Sequence, residues 1–518
     1  MKKLLLLLVV CIVAFSCKKE ATDEDIINYA ASITQDELKE MLYVYASDEF
    51  EGRDTGSPGQ KKAVEYLKKY YEELGIPSVT EGNYLQDVPL STVKTPNVSI
   101  NVNGNSFNYF DDFISQTAAE TGTFSASEVV YAGYGIDDEK YSDYTDLDVT
   151  NKIVVVKGGE PKDAAGNNVI TGSKEVSKWS NGRQALSAKR DAAKDKGAKG
   201  LFYMDAALFK RYSDFFRQRE ENGGSRRLSL PKKEDAESEI YYFLINEKLG
   251  EALVPNIKSI EATSSIATKL DVSYESITES LSSENVAAMV KGTEKPDEYV
   301  IISSHLDHIG ISASGEINNG ADDDGSGTIS MLEIAEAFKN ASDNGHGPKR
   351  SIIFLHVTGE ERGLLGSRYY TDYEPLVPLA NTVANLNIDM VGRIDPKRTE
   401  GDRNYIYLIG SDKLSTDLHN LSEEVNTKFT NIELDYTYND ENDPNRFYYR
   451  SDHYNFAKNN IPIIFYFNGT HDDYHRATDT PDKIEYDLLE NRSRLVFHTA
   501  WEVANREERI VVDKATDE

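Results

Sequence analysis

Cysteine is almost absent: of 518 residues only Cys11 and Cys17 carry a thiol, and both fall within the first twenty positions. The rest of the chain therefore offers no disulfide and no thiolate metal site, so any metal must be held by His, Asp and Glu. Positive charge is also scarce. Against 88 Asp and Glu stand 57 Lys and Arg, a formal charge of −31, which argues against nucleic acid as a partner and against a basic membrane-binding face. Long apolar runs are missing too: residues 4–15 are uncharged and apolar but fall short of the ~20 residues that span a bilayer. Tyrosine, with 31 residues, is plentiful. With ordinary apolar content, a chain of this length has material for two or three domains.

The opening "MKKLLLLLVVCIVAFSCKKE" puts two lysines before that apolar run and ends it at Ala14-Phe15-Ser16-Cys17. It resembles a bacterial lipoprotein signal with Cys17 as the lipidated first residue; a plain signal peptide cut near Ser16 is the alternative. The resemblance implies a signal over 1–17, export, and a lipid anchor on an envelope membrane, on its periplasmic or surface side. Residues 18–34 are polar and weakly patterned, and are expected to form a tether.

Further on, Ala63, Leu67, Tyr70, Tyr71 and Leu74 share one face of a helix expected over 58–74, and Gly75 ends it. From about 120 to 280, short β-rich runs such as "SEVVYAGYG" and "NKIVVVKGG" alternate with turn clusters. A helix is expected around 183–196 and a charged stretch at 210–239. Little helix and many turns predict a separate β-rich module. After Glu284 the texture becomes regular. "EYVIISSH", "SIIFLHV", "TVANLNID", "NYIYLIG" and "IPIIFYF" are continuous apolar runs, and helical patterns lie at about 326–340, 412–427 and 486–505. This alternation predicts an α/β fold with a largely buried parallel sheet covered on both faces.

On that frame the acids and histidines fall into place. His305 and Asp307 sit where one strand ends, Glu360 and Glu361 follow the next, Asp389 closes a third, and His475 follows a fourth after a short loop. Strand ends in an open α/β sheet gather along the edge where ligands bind. Asp322, Asp323 and Asp324 come from the loop after the first strand. Their run "DDDGSGTISMLE" copies an EF-hand calcium loop almost letter for letter, yet the preceding "HIGISASGEINNGA" has no helical period and no second copy exists. A loop presenting one aspartate to a metal, with Gly325 and Gly327 starting a helix tightly, is the better account.

Two histidines and three carboxylates suit zinc and tolerate cobalt or manganese. They exceed what one tetrahedral ion needs and fit two ions sharing a bridging carboxylate and water. Of the neighbours Glu360 and Glu361, one would bind metal and the other stay free as general base. His356 is expected to be a packed core residue and His346, His419 and His498 to lie on the surface or a helix face. His308, His453 and His471 lie near the edge without a ligand role.

The motifs "HLD" at 305–307, "GADDDGSG" at 320–327, "GEERGLLGS" at 359–367, "LNIDMVG" at 386–392 and "YHRATDT" at 474–480 resemble those of the co-catalytic zinc exopeptidases of clan MH. That group contains bacterial leucyl aminopeptidases, aminopeptidase Y and glutamate carboxypeptidase. The resemblance covers roughly 35–110 and 284–507. It implies a mixed, mostly parallel central sheet flanked by helices, of the phosphorylase/hydrolase-like kind. It also implies two zinc ions and hydrolysis of peptides with a free N-terminus. His305 and Asp389 would be terminal ligands of one zinc, Glu361 and His475 of the other, and Asp323 the bridge. Glu360 would be the general base, Asp307 the carboxylate that orients His305, and Tyr474 a stabiliser of the oxyanion. Residues 116–283 resemble a protease-associated domain inserted between two parts of the peptidase domain, 35–115 and 284–518. A carboxypeptidase or dipeptidase of the same clan, which would use Arg393, Arg446 or Arg450 on a substrate carboxylate, is the first alternative. Glutaminyl cyclase and a non-catalytic binding protein follow.

Overall fold

A computed structural model describes residues 20–117, 119–221, 227–233 and 238–514. The expected signal and Cys17 lie outside the described residues, as does part of 210–239. The chain divides into two compact units, one formed before Leu90 and after Leu281, the other by Leu90–Leu281.

In the first unit, strands β1 (Thr278–Val290), β2 (Lys295–His305), β3 (Arg350–Val357), β4 (Thr382–Ile388), β5 (Tyr405–Ile409), β6 (Glu433–Asp435) and β7 (Ile463–Phe467) form part of one sheet. Their order is β1-β3-β2-β4-β7-β5-β6. β3, β2, β4 and β7 run parallel to their neighbours in that row, whereas β1 pairs antiparallel with β3 and β5 with β7. The sheet is thus mixed and mostly parallel, because the helical crossovers that join parallel strands also cover both faces. Every residue of β3, β4, β5 and β7 is buried.

The covering helices are α1 (Asp23–Ala30), α2 (Gln35–Tyr45), α3 (Pro58–Leu74), α4 (Gly327–Asp343), α5 (Leu365–Asp372), α6 (Thr416–Phe429), α7 (His453–Ala457) and α8 (Tyr486–Asn505). Alternation along β3 shows the two layers. Ile352 and Phe354 pack with α4 and α8, while Ile353, Leu355 and Val357 pack with Tyr370 of α5 and Phe456 of α7. α3 starts as its sequence dictates: the Ser57 side chain accepts the Gln60 N–H, Pro58 opens the first turn, and Gly75 closes the last at φ 68°.

The expected tether over 18–34 is instead partly helix. Thr22 and Asp25 close a capping box at the start of α1, and Ile26, Ala30 and Ile33 enter the core. Arg494 of α8 donates to the carbonyls of Ala30 and Ile33, satisfying the end of the helix.

The second unit holds an eight-stranded sheet. At its centre Ile153–Lys157, Gly200–Met204 and Tyr241–Ile245 pair in parallel. Helices Gly182–Asp195 and Ala206–Glu221 make the crossovers, and Glu247–Leu253 follows the third strand. The module therefore carries more helix than its turn-rich sequence suggests. Its start also lies earlier than residue 116, because Asn97–Val102 pairs with the distant Ser264–Glu275 and Phe113–Ser115 with Tyr241–Ile245. No helix among the described residues is long and apolar enough to cross a membrane.

Candidate metal and active site

Because β2, β3, β4 and β7 are parallel, their carboxyl ends share one edge. β2 ends on His305, and β3 delivers Glu360 and Glu361 through a short turn. Asp389 follows β4 directly, and a loop after β7 brings His475 back.

The His305 ring is oriented by its Nδ1–H, which donates to the main-chain carbonyl of Asp307 at 3.0 Å. That leaves Nε2 facing Asp323 Oδ1 at 3.1 Å and Asp389 Oδ1 at 3.6 Å. On the other side, His475 Nε2 lies 3.1 Å from Asp323 Oδ2 and 3.1 Å from Glu361 Oε2. The carboxylate of Asp323 thus stands between the two histidines, with Asp389 beside one and Glu361 beside the other. The structure brings His305, Asp323, Glu361, Asp389 and His475 together.

The three consecutive aspartates divide the labour. Asp322 Oδ1 accepts the N–H of Gly392 at 2.7 Å, and its Oδ2 faces His471 Nε2 at 3.1 Å. Asp324 accepts from Gly327 N–H and Met390 N–H on Oδ1 and from His305 N–H on Oδ2. It ties the ends of β2 and β4 to the first turn of α4. Only Asp323, the middle one, keeps both oxygens on the histidines, and Asp479 accepts its backbone N–H at 3.3 Å. His305, Asp324 and Asp389 have ligand atoms within 4.8 Å of one another, as do His308, Asp323 and Glu361, but both oxygens of Asp324 already accept backbone N–H groups.

The Asp307 carboxylate does something other than expected. It stands 3.9 Å from His305 Nδ1 and spends its oxygens on the Thr55 hydroxyl and the Glu360 N–H. Its carbonyl positions the histidine, and its carboxylate positions the turn that carries Glu360 and Glu361.

His308, to which the sequence assigned no ligand role, is fully buried in the site. Its Nδ1 lies 2.8 Å from Glu361 Oε1 and 3.7 Å from Asp323 Oδ2. Its other ring nitrogen, Nε2, has no hydrogen-bond partner among the described residues. A buried imidazole against Glu361 and Asp323, together with two further histidines and three carboxylates at near-contact distances, is a donor set that fits divalent cations. Zinc, with His and carboxylate ligands and no thiolate, suits it.

Electrostatics follow the same lines. Burial pushes Asp323 up, but bonds from His305 and His475 outweigh it and hold Asp323 well below the ordinary carboxylate range. The acids in turn raise His475 to about 10 against the cost of burial. Burial, reinforced by Asp389 and Glu361, holds Glu360 well above the usual glutamate range. Tyr474, stacked on His475 at 3.9 Å between ring centres, is raised by burial and by Asp323 and Glu361. Its hydroxyl stays protonated.

Residues further out hold the loops. Buried Arg53 donates to the carbonyls of Leu306, Asn319 and Gly320, clasping the loops that bear His305 and Asp323. The Ser451 hydroxyl donates to Asp389 Oδ2 at 2.6 Å. Neither residue carries a spacing signal, because both act through folded loops.

Among the remaining histidines, His356 is packed in the core with Tyr71 and Ser304. His453 donates to the Tyr448 carbonyl and stacks on Phe465. His498 is on a buried helix face against Phe429, while His346 and His419 bond Tyr29 and Ser411.

Beside the acids opens a small cleft lined by Asp323, Glu360, Asp389 and Tyr474. Met390, Phe447, Phe465 and Phe467 give it an apolar wall, with Thr470 and Arg450 also lining it.

Residues 285–500, which contain most of these side chains, match the model of peptidase family M28. Over 120 residues the chain is 34% identical to probable glutamate carboxypeptidase LAMP1 of Arabidopsis thaliana, covering 23% of this chain and 16% of that one. Over 133 residues it is 32% identical to aminopeptidase YwaD of Bacillus subtilis (strain 168), covering 24% and 27%. The chain thus spans about a sixth to a quarter of these curated relatives' lengths. The solved aminopeptidase from Aneurinibacillus sp. strain AM-1 is similar at 20% identity and TM-score 0.49, over 95% of this chain and 98% of that one.

Proposed function

We propose that this protein is a zinc-dependent exopeptidase that removes the first residue from peptides with a free N-terminus. The observation that carries the reading is one carboxylate, Asp323, held 3.1 Å from the ring nitrogens of both His305 and His475 with Glu360 beside it. His305 and Asp389 would hold one zinc, Glu361 and His475 a second, and Asp323 both. Bound there, zinc supplies Lewis acidity toward the scissile carbonyl and acidifies the attacking water.

The rest is the work of side chains. Glu360 lines the cleft, and its carboxylate has no hydrogen-bond donor among the described residues. Being held well above the ordinary range by burial, it is a stronger base than a solvated glutamate. It takes the proton of the attacking water and returns it to the departing amine. The Tyr474 hydroxyl, kept protonated, donates to the carbonyl oxygen as charge builds there. Met390, Phe447, Phe465 and Phe467 receive the side chain of the first residue, and the acids at the head of the cleft attract the free amine. Arg450 in the same cleft favours one second reading, cleavage beside a free carboxylate by a carboxypeptidase or dipeptidase.

The experiment is release of chromophore from aminoacyl anilides, beside N-blocked and C-terminal substrates, with zinc or chelator. Chelator-sensitive turnover of free-amine substrates alone, lost in Glu360→Gln with zinc still bound, is the expected result. Cleavage confined to free carboxyl ends would move the protein to the second reading. We further propose, from the signal-like opening of the sequence alone, that the protein is exported and carries a lipid at Cys17. A Cys17→Ser chain should then leave the membrane pellet, and one that stays there would remove the anchor.

A further inference from the structure

Besides the expected ligands, the site holds one more buried imidazole. His308 follows His305 closely in the chain and is fully buried. Its backbone N–H donates to the Arg53 carbonyl at 3.1 Å, and the same residue is bridged to Asp54. The ring lies against Gly320. A β-carbon there would come 2.6 Å from His308 Cδ2 and 2.7 Å from its Cγ, so glycine is what leaves the ring its place. Backbone bonds and packing thus hold the imidazole in one orientation.

That orientation aims Nδ1 at a pair of carboxylates. It lies 2.8 Å from Glu361 Oε1 and 3.7 Å from Asp323 Oδ2, and these ligand atoms all fall within 4.8 Å of one another. His475 faces the same pair, its Nε2 being 3.1 Å from Asp323 Oδ2 and 3.1 Å from Glu361 Oε2. The two rings stand 5.7 Å apart between centres, with their planes at 70°. A histidine that served only to orient Glu361 would need to face one carboxylate. This one faces both of those that His475 faces. Two imidazole nitrogens and two carboxylates are the number and kind of donors that fill a tetrahedral zinc. Around His305 there is one donor fewer: Nε2 meets Asp323 Oδ1 and Asp389 Oδ1, and neighbouring Asp324 has spent both oxygens on backbone N–H groups.

We propose that His308, through Nδ1, is a ligand of the zinc held by Glu361, His475 and Asp323. The inference rests on the zinc-peptidase reading of the same site and deepens it, because it makes the two positions unequal. The position with His308 is closed by protein donors, and the position with His305 and Asp389 keeps an open place. Four protein donors hold an ion more tightly than three, so the open position gives up its metal first. The ring proton of His308 sits on Nε2.

The test is proton NMR of the full chain loaded with two cobalt ions in place of zinc. Each imidazole bound through one nitrogen shows its other ring N–H as a strongly shifted, solvent-exchangeable signal. Three are expected, from His305, His475 and His308, and one should vanish in His308→Asn. Asparagine keeps an N–H donor where Nδ1 stood but has no ring nitrogen, so it separates ligation from a hydrogen bond to Glu361. Zinc removal by graded chelator is the second readout. The parent should release its ions in two steps. In His308→Asn the later step should move to about 10²-fold lower chelator concentration while the earlier one stays. The count in the parent needs no variant, so a misfolded His308→Asn leaves the test standing. Two shifted signals in the parent, or parent-like zinc release by a folded His308→Asn chain, overturns the proposal. Turnover of free-amine anilides by the zinc-loaded parent is read separately. Three signals without turnover would sink the peptidase reading and keep the ligand; turnover with two signals would do the reverse.

Discussion

Both sheets contain a run of parallel strands that ends in polar residues, and among the described residues only one of the two runs gathers them into a candidate site. In the second unit, Lys157, Asp205 and Asn246 stand at or just past the ends of Ile153–Lys157, Gly200–Met204 and Tyr241–Ile245. Each is used up locally. Lys157 donates to the Ile260 carbonyl at 2.9 Å, Asp205 accepts the N–H groups of Ala207 and Leu208, and Asn246 caps Leu249 while holding Asp112. In the first unit, His305, Asp323, Asp389, Glu361 and His475 point at one another, and their backbones and flanking acids carry the local bonds. Topology supplies an edge in both cases, and function follows from which side chains are left over after the loops are satisfied.

The most direct way to break that contrast is to remove the shared carboxylate. Asp323→Asn should lose zinc by about 10²-fold or more in affinity at both positions and reduce turnover to the limit of detection, because an amide offers one neutral oxygen where two anionic ones are needed. Metal content by mass spectrometry and hydrolysis rate read this together. Full zinc occupancy in the variant would show that Asp323 bridges nothing. Next door, Asp324→Ala should act on stability first. It leaves three buried N–H groups, of Gly327, Met390 and His305, without an acceptor. The expected loss is about 2–4 kcal/mol in denaturant unfolding. A variant as stable as the parent would show that this aspartate is no staple.

Much of this edge was legible from the chain. Continuous apolar runs declare a doubly covered sheet, so a histidine or acid at the end of such a run, or in the loop that follows it, is placed at the carboxyl edge. That logic located His305, Glu360, Glu361, Asp389 and His475, and Ser57, Pro58 and Gly75 bounded α3 in the same way. What stayed hidden depends on backbone direction in loops or on distant pairing. Three identical aspartates cannot reveal which one turns inward. His308 reaches Glu361 only because its strand-end loop is bridged to Asp54. Residues 23–33 look solvated because just Ile26, Ala30 and Ile33 among polar neighbours turn to the core. The second unit begins at Leu90 because Asn97–Val102 finds its partner more than 160 residues later.

A titratable acid away from the metal ligands sharpens the comparison in a different direction. Glu333 on α4 is buried near Glu37 and Glu336 and accepts one long bond from Thr34 N–H at 3.4 Å. Burial, then those two acids, raise it to about 8. Its folded value lies above the unfolded one, so between about pH 4.5 and 8 the folded chain binds the extra proton. Stability therefore falls as pH rises through that window. Glu333→Gln should abolish this slope and raise the unfolding free energy at pH 8, by up to about 4 kcal/mol at the ceiling set by the shift, with a higher melting temperature there and little gain at pH 4. Parallel pH profiles for parent and variant would show that the burial costs nothing.

The smallest effect should come from the second unit, where strand-end acids serve the backbone alone. Asp205→Ala removes the acceptor for the first N–H groups of helix Ala206–Glu221 and should cost about 1 kcal/mol. Hydrogen exchange should quicken in the first turn of that helix, roughly fivefold by the same figure, while zinc content and peptide turnover hold. The contrast between the two edges turns on that last clause. A loss of zinc in Asp205→Ala comparable to that in Asp323→Asn would mean that a strand-end acid in the second unit supports the site. The division between spent and left-over side chains would then be wrong. Unchanged zinc with quickened exchange would show that an aspartate after a parallel strand is, by default, a helix cap, and that it becomes a ligand only where other groups have already taken over the capping.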